Sequence, residues 1–203
     1  MNYERTILEM MERIKTIEER LEIWGEHNPK IENLDDRNEE GDVMTQELKK
    51  SGRILSRNEI MQILRDNYGF NVRKANRSEG SGIVISKNGK QYNIKVSFSR
   101  SYPAYANEDV ICSGWHTRLE EVINNQDFPF FIFVVADAEN RFHYFIFKRQ
   151  DIINVFHYKV YDSHRRLHFY FRVRKNGKPF EVREIEKDMS LYYNNWTVFE
   201  NVE

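Results

Sequence analysis

Residues 82–98 read GIVISKNGKQYNIKVSF, two runs rich in β-branched and aromatic side chains separated by Asn88-Gly89. Such side chains suit a pleated strand, and Asn-Gly suits the two-residue hairpin turn whose central positions need positive φ. The stretch therefore predicts a hairpin with arms at 82–86 and 91–98. Side chains alternate along a strand, so Tyr92, Ile94, Val96 and Phe98 share one face of the second arm and Asn93, Lys95 and Ser97 the other. One face belongs in a core, while the other carries an amide, an amine and a hydroxyl.

Upstream, residues 70–74 read as a further strand. They follow a helix announced by Ser56-Arg57-Asn58-Glu59, a Ser-x-x-Glu capping box, with Ile60, Ile63 and Leu64 as its buried face and Gly69 as its stop. Downstream, GWHTRLEEVINN (114–125) suits a helix. FPFFIFVVADAENRFHYFIF (128–147) gives two strands around a turn at 137–140, with 131–135 apolar enough for a central strand, and a short helix is expected near 148–156. In the tail, Leu167, Phe169, Phe171 and Val173 alternate with Arg166, His168, Tyr170, Arg172 and Arg174 ahead of Asn176-Gly177, which predicts a hairpin with one apolar and one basic-aromatic face.

Toward the N-terminus, Ile7, Met10, Ile14, Ile17, Leu21 and Trp24 repeat in steps of three and four, an a/d seam over three heptads. So narrow a stripe needs a partner helix, either in its own domain or in a second copy of the chain; a homo-oligomer through this helix is expected. Polar residues 25–43, with Gly25, Pro29 and Gly41, read as a linker. The organisation is thus a heptad helix at 1–28, a linker with a short helix at 29–50, and an α/β domain at 51–203.

With 203 residues, 40% of them hydrophobic, the chain supports one sizeable core and not comfortably two. No apolar run approaches the roughly 18 residues of a membrane span, the N-terminus carries no apolar signal region, and Cys112 is the sole cysteine. A cytoplasmic protein without membrane contact is expected. Residues 1–50 hold 8 Lys and Arg against 14 Asp and Glu, net −6, and the remainder 23 against 18, net +5. The mildly basic body permits a phosphate partner without requiring one.

The order helix, three strands, helix, two strands over 56–147 resembles the core of PD-(D/E)XK nucleases, the restriction-endonuclease-like superfamily. The resemblance implies an α/β fold with a mixed sheet flanked by helices, here with the heptad helix and a C-terminal β-hairpin as extensions. In that family an Asp enters at the second core strand and a (D/E)-x-K on the third, so that two carboxylates hold Mg²⁺ and the lysine orients the attacking water. Asn93-Ile94-Lys95 can be laid on that motif with a neutral amide in place of the acid. A register one dipeptide later puts Lys95 on the acid and Ser97 on the lysine, and it too lacks a carboxylate. On the second strand, residues 81–84 (Ser, Gly, Ile, Val) stand where the Asp belongs, and Glu79 is the nearest acid.

The resemblance therefore implies a nucleic-acid-associated protein with a degenerate metal site around Lys95 and Asn93, suited to restriction or phage defence, with DNA as partner and either no cofactor or Mg²⁺. An active Mg²⁺-dependent endodeoxyribonuclease would need acids recruited from elsewhere, for which Glu59 and Glu79 are candidates. A regulatory factor acting through the N-terminal coiled coil is the third reading. Arg165, Arg166, Arg172, Arg174, Lys175 and Lys178 form the densest basic stretch, interleaved with aromatic rings. They fit either a phosphate backbone or the charged outer face of an edge hairpin. His116, His143, His157, His164 and His168 form no recognised ligand spacing and read as solvent-facing strand residues, with His164 and His168 placed to assist phosphate contact.

Overall fold

A computed structural model describes residues 39–80, 82–101, 109–200 and 202, of which 39–51 are described by backbone alone. The chain divides into two compact units, Met1–Thr45 and Gln46–Glu203. The heptad seam at 7–24 lies outside the described residues. The second unit is a mixed α/β structure with two sheets.

Helix α1 spans Glu39–Asp66. It runs straight through Ser56, which is buried mid-helix and bonds the Arg53 carbonyl at 3.4 Å. The expected capping box at 56–59 is thereby overturned. A serine hydroxyl can satisfy itself on the preceding turn, and the burial of Ile60, Met61 and Leu64 holds the helical register on both sides. The C-terminal stop falls at Gly69, as the sequence predicts. The Gly69 amide reaches the Arg65 carbonyl at 3.1 Å and the Phe70 amide the Leu64 carbonyl at 3.3 Å.

Strands β1 (Asn71–Lys74), β2 (Ile83–Lys87) and β3 (Lys90–Arg100) form an antiparallel meander. Asn88 and Gly89 both have positive φ and close the predicted tight turn. Strand β5 (Phe130–Ala136) runs parallel to β3, and β6 (Phe142–Lys148) pairs antiparallel to β5, giving the order β1-β2-β3-β5-β6.

Between β3 and β5 the chain makes β4 (Val110–Leu119) and only a short helix α2 (Glu120–Asn124). The helix expected over 114–125 is therefore mostly a strand. Its residues also alternate, with Cys112, Gly114 and His116 buried on one side and Trp115 and Leu119 exposed on the other. Gly114 lies so close to β5 that an added Cβ would come within 2.4 Å of Val135, an approach that suits a strand packed directly on a sheet. Helix α3 (Arg149–Val155), β7 (Arg166–Arg174), β8 (Pro179–Glu181), β9 (Lys187–Asp188) and a 3-10 turn (Trp196–Phe199) complete the chain. The tail hairpin is no mere extension, because β7 pairs with β4 and builds an antiparallel sheet in the order β4-β7-β8-β9.

Two cores result, one on each face of the first sheet. On one face Ile60 and Leu64 of α1 pack against Ile83, Ile85, Ile94, Ile132, Val134 and Ile146, with Phe199 from the C-terminal turn. On the other, Phe131, Phe133, Phe145 and Phe147 meet Leu167, Phe169, Phe171 and Val173 of the second sheet. Every residue of β5 is buried, as its unbroken apolar run predicts. Among the described residues no helix is long and apolar enough to cross a membrane.

Candidate functional site

Strand β3 distributes its side chains as alternation requires. Ile94 joins the core beneath α1, with Tyr92, Val96 and Phe98 packed against it. Asn93, Lys95, Ser97 and Ser99 therefore face the second sheet. There they meet the unpaired edge of β4, and the serines satisfy it. Trp115 donates its amide to Ser99 Oγ at 3.1 Å, Ser113 donates to Ser101 Oγ at 3.0 Å, and Ser97 Oγ is 2.9 Å from His116 Nδ1.

The space at the end of this seam is polar and cationic. Lys95 Nζ lies 4.9 Å from the centroid of the Phe128 ring and 3.6 Å from where a side chain on Gly80 would begin. Burial first, then the nearby Arg118 charge, lowers its pKa. Arg118 projects from β4 over the Phe133 ring at 5.6 Å and donates from Nη1 to the Thr117 carbonyl at 2.8 Å. Burial pulls its pKa down to about 10. His116, wholly buried beside it, has its pKa pushed well below the ordinary value by burial and by Arg118, so it is neutral at pH 7. No carboxylate among the described residues pairs with Lys95 or Arg118.

Three polar atoms of this group are buried without a partner: Asn93 Oδ1, His116 Nε2 and Arg118 Nε. Each orphaned buried polar atom carries a desolvation penalty of about 1–3 kcal/mol. An anion bringing its own oxygens and water to these half-buried cations would relieve it. Arrangement of the backbone here is specific. Gly82, at the start of β2, has φ +154°, and a Cβ there would sit 2.1 Å from the Ile94 carbonyl. No other side chain fits where the loop before β2 passes beside Lys95.

No family model, curated protein or solved structure matches this chain. The site is therefore read from its own chemistry. That chemistry does not fit a divalent metal, which needs hard anionic oxygens. Val84 stands opposite Asn93 in the β2–β3 register, so the second strand offers this face an apolar side chain. Glu79 is engaged elsewhere: Arg73 donates to its two oxygens at 2.7 and 2.5 Å and the Asn76 amide at 2.9 Å, which hold its pKa down to about 2. Glu59 is on α1, where it acts on Tyr144, and Tyr144 belongs to the core on the face away from Lys95. The two acids considered for recruitment are thus not gathered around the lysine. Among the described residues no group of three His, Cys, Asp or Glu could hold a metal ion.

The basic hairpin is largely neutralised. Arg165 pairs with Glu120, Arg166 with Asp162 at 2.9 Å, Arg174 with Glu186 at 3.0 Å, and Lys178 with Asp188 at 3.4 Å. Arg172 instead donates to Ser113 Oγ at 3.1 Å and meets no carboxylate among the described residues. Lys175 contributes its backbone amide to the Asp109 carbonyl. Nor are the strand histidines all solvent-facing: His116 is buried as above, and His143 is buried between Tyr193 and Asp137. Sequence reading missed His116, which meets Ser97 of β3, and Arg118, whose charge bears on Lys95. The alternation in 112–118 carried the signal, hidden by the helical reading of that stretch.

Proposed function

We propose that this chain is a nucleic-acid-associated protein with a nuclease-like fold and a degenerate metal site, in which Lys95 and Arg118 hold a backbone phosphate. The carrying observation is that two partly buried cations, Lys95 of β3 and Arg118 of β4, lie near enough to act on one another with no carboxylate paired to either among the described residues, Lys95 being on the strand where the resembled family keeps its lysine and Asn93 standing where it keeps an acid. A helix followed by three consecutive strands is the order the resemblance implies, and it supports the reading. The crossover through β4 in place of a full helix is a departure from it. Fold-level likeness carries no activity by itself, so the phosphate contact rests on the site.

Arginine and lysine bind phosphate oxygens without needing a metal, and removing the acid that would hold one favours binding over hydrolysis. The test is duplex DNA binding across a salt series with wild type, Lys95→Ala and Arg118→Met. Each variant should bind more weakly and lose about one unit of salt slope per phosphate contact, uniformly across sequences. Plasmid incubated in Mg²⁺ or Mn²⁺ should remain uncut. Cleavage abolished by Lys95→Ala would overturn the degenerate-site reading, and unaltered binding by both variants would remove the phosphate site.

A further inference from the structure

On the opposite face of the second sheet, away from Lys95 and the interior, β4 and β7 carry a row of aromatic rings. Trp115 stands directly across from Tyr170 in the β4–β7 register. Their ring centroids are 5.8 Å apart with planes within 12°, and His168 lies 5.8 Å from Trp115 at 27°. The row is held in place. Trp115 Nε1 donates to His168 Nδ1 at 3.3 Å, and His168 Nε2 donates to the Asp162 carboxylate at 2.8 Å. Asp162 also accepts the Arg166 amide and Nε, each at 2.9 Å. Even so, Trp115 remains 46% exposed, the one aromatic ring among the exposed large hydrophobic side chains of the described residues.

Cations flank the row. Arg172 is the next outward residue of β7, and Arg183 lies over the Tyr170 ring at 5.6 Å. With Val182 and Glu184 these residues line a recess of about 380 Å³, large enough for a nucleotide. Glu184 is paired with Lys159, which also holds the buried Glu181, and with Arg183, so Arg172 is the lining cation that meets no carboxylate among the described residues.

We propose that this face binds single-stranded nucleic acid, with an unpaired base stacking on the exposed Trp115 ring beside Tyr170 and the neighbouring phosphate meeting Arg172. The inference rests on the nucleic-acid reading for its polymer and deepens it by naming the strand state. A base inside a duplex has both faces covered, so a ring platform can engage only a base that is free. Ring stacking is tolerant of sequence, and the arginines contribute charge and cation–π contact. Nothing in this geometry reads base edges.

The test measures binding of labelled oligo(dT), oligo(rU), an abasic oligonucleotide and a duplex to the full chain. Trp115→Leu keeps the apolar bulk and removes the ring, and Lys95→Ala serves as the comparison. Trp115→Leu should weaken oligo(dT) or oligo(rU) binding by about 5- to 150-fold, the loss of one stacked base, with no change for duplex or abasic strand. Whichever of the two oligonucleotides responds identifies DNA or RNA. Equal affinity of wild type and Trp115→Leu for both would overturn the platform, while a duplex defect in Lys95→Ala would leave the phosphate site standing. A Trp115→Leu defect with Lys95→Ala unchanged on every polymer would do the reverse. Absence of binding to any polymer at low salt overturns both.

Discussion

His116 is neutral because it is enclosed between Phe133 at 5.2 Å and Phe171 at 5.8 Å, with Arg118 beside it and Ser97 on its Nδ1. Its folded pKa lies below its unfolded value, so on acidification the unfolded chain takes up the proton first. The contribution to stability is therefore full above the unfolded pKa of about 6.5 and is lost as pH falls through it, at no more than about 1.4 kcal/mol per pH unit for this group. Urea unfolding at about pH 7.5 and about pH 5.5 should show that loss, and His116→Gln should reduce its slope. His143, whose pKa burial also lowers against the pull of Asp137, contributes to the part that persists. Identical slopes in wild type and variant would mean that His116 is not buried neutral. At this scale the side of β3 that Lys95 occupies was legible, since alternation needs only the strand assignment. What surrounds it was not, because His116 and Arg118 arrive from a strand that pairs with neither of its sequence neighbours.

β4 shows how an element is decided. Residues 114–125 contain Leu119, Val122 and Ile123 at helical spacing and only then become helical, for the five residues of α2. Ahead of them Cys112, Gly114 and His116 enter a seam whose hydrogen-bonding groups are already waiting: Ser99 of β3 and Ser101 just past its end accept two β4 amides, and β7 satisfies the other edge. Tertiary partners thus override local periodicity. The close approach at Gly114 gives a direct test. Gly114→Ala should cost about 1–3 kcal/mol in urea unfolding by overpacking, since its Cβ would meet Val135 at 2.4 Å. Combining it with Val135→Ala should cost less than the two single changes added together, because the second makes room for the first. Strict additivity would show that β4 does not press on β5 there. Helix α1 shows the converse case: its stop at Gly69 was written locally, whereas Ser56 and Glu59 mimic a start that the burial of Ile60, Met61 and Leu64 renders unnecessary.

For the second unit as a whole, β5 is the shared wall of both cores, with Ile132 facing α1 and Phe133 facing the second sheet. Losing either side should expose the other, so the unit is expected to unfold in one step. Ile132→Ala should cost about 2–5 kcal/mol and Phe133→Ala about 3–5 kcal/mol, and each should shift far-UV circular dichroism and tryptophan fluorescence together. Separate transitions for the two probes would show that the cores are independent. The amino-acid sequence alone determined the β2–β3 hairpin, the buried character of β5, the two-faced β7 and the neutral amide at Asn93, since each follows from residue type and spacing along a single segment. Only the tertiary structure decided that 110–119 is a strand, that Arg165, Arg166, Arg174 and Lys178 are spent on carboxylates, and that Lys95 and Arg118 act on one another with no carboxylate paired to either among the described residues. Charge pairing and orphaned polar atoms depend on which segments meet across space, and no pattern within one segment records that.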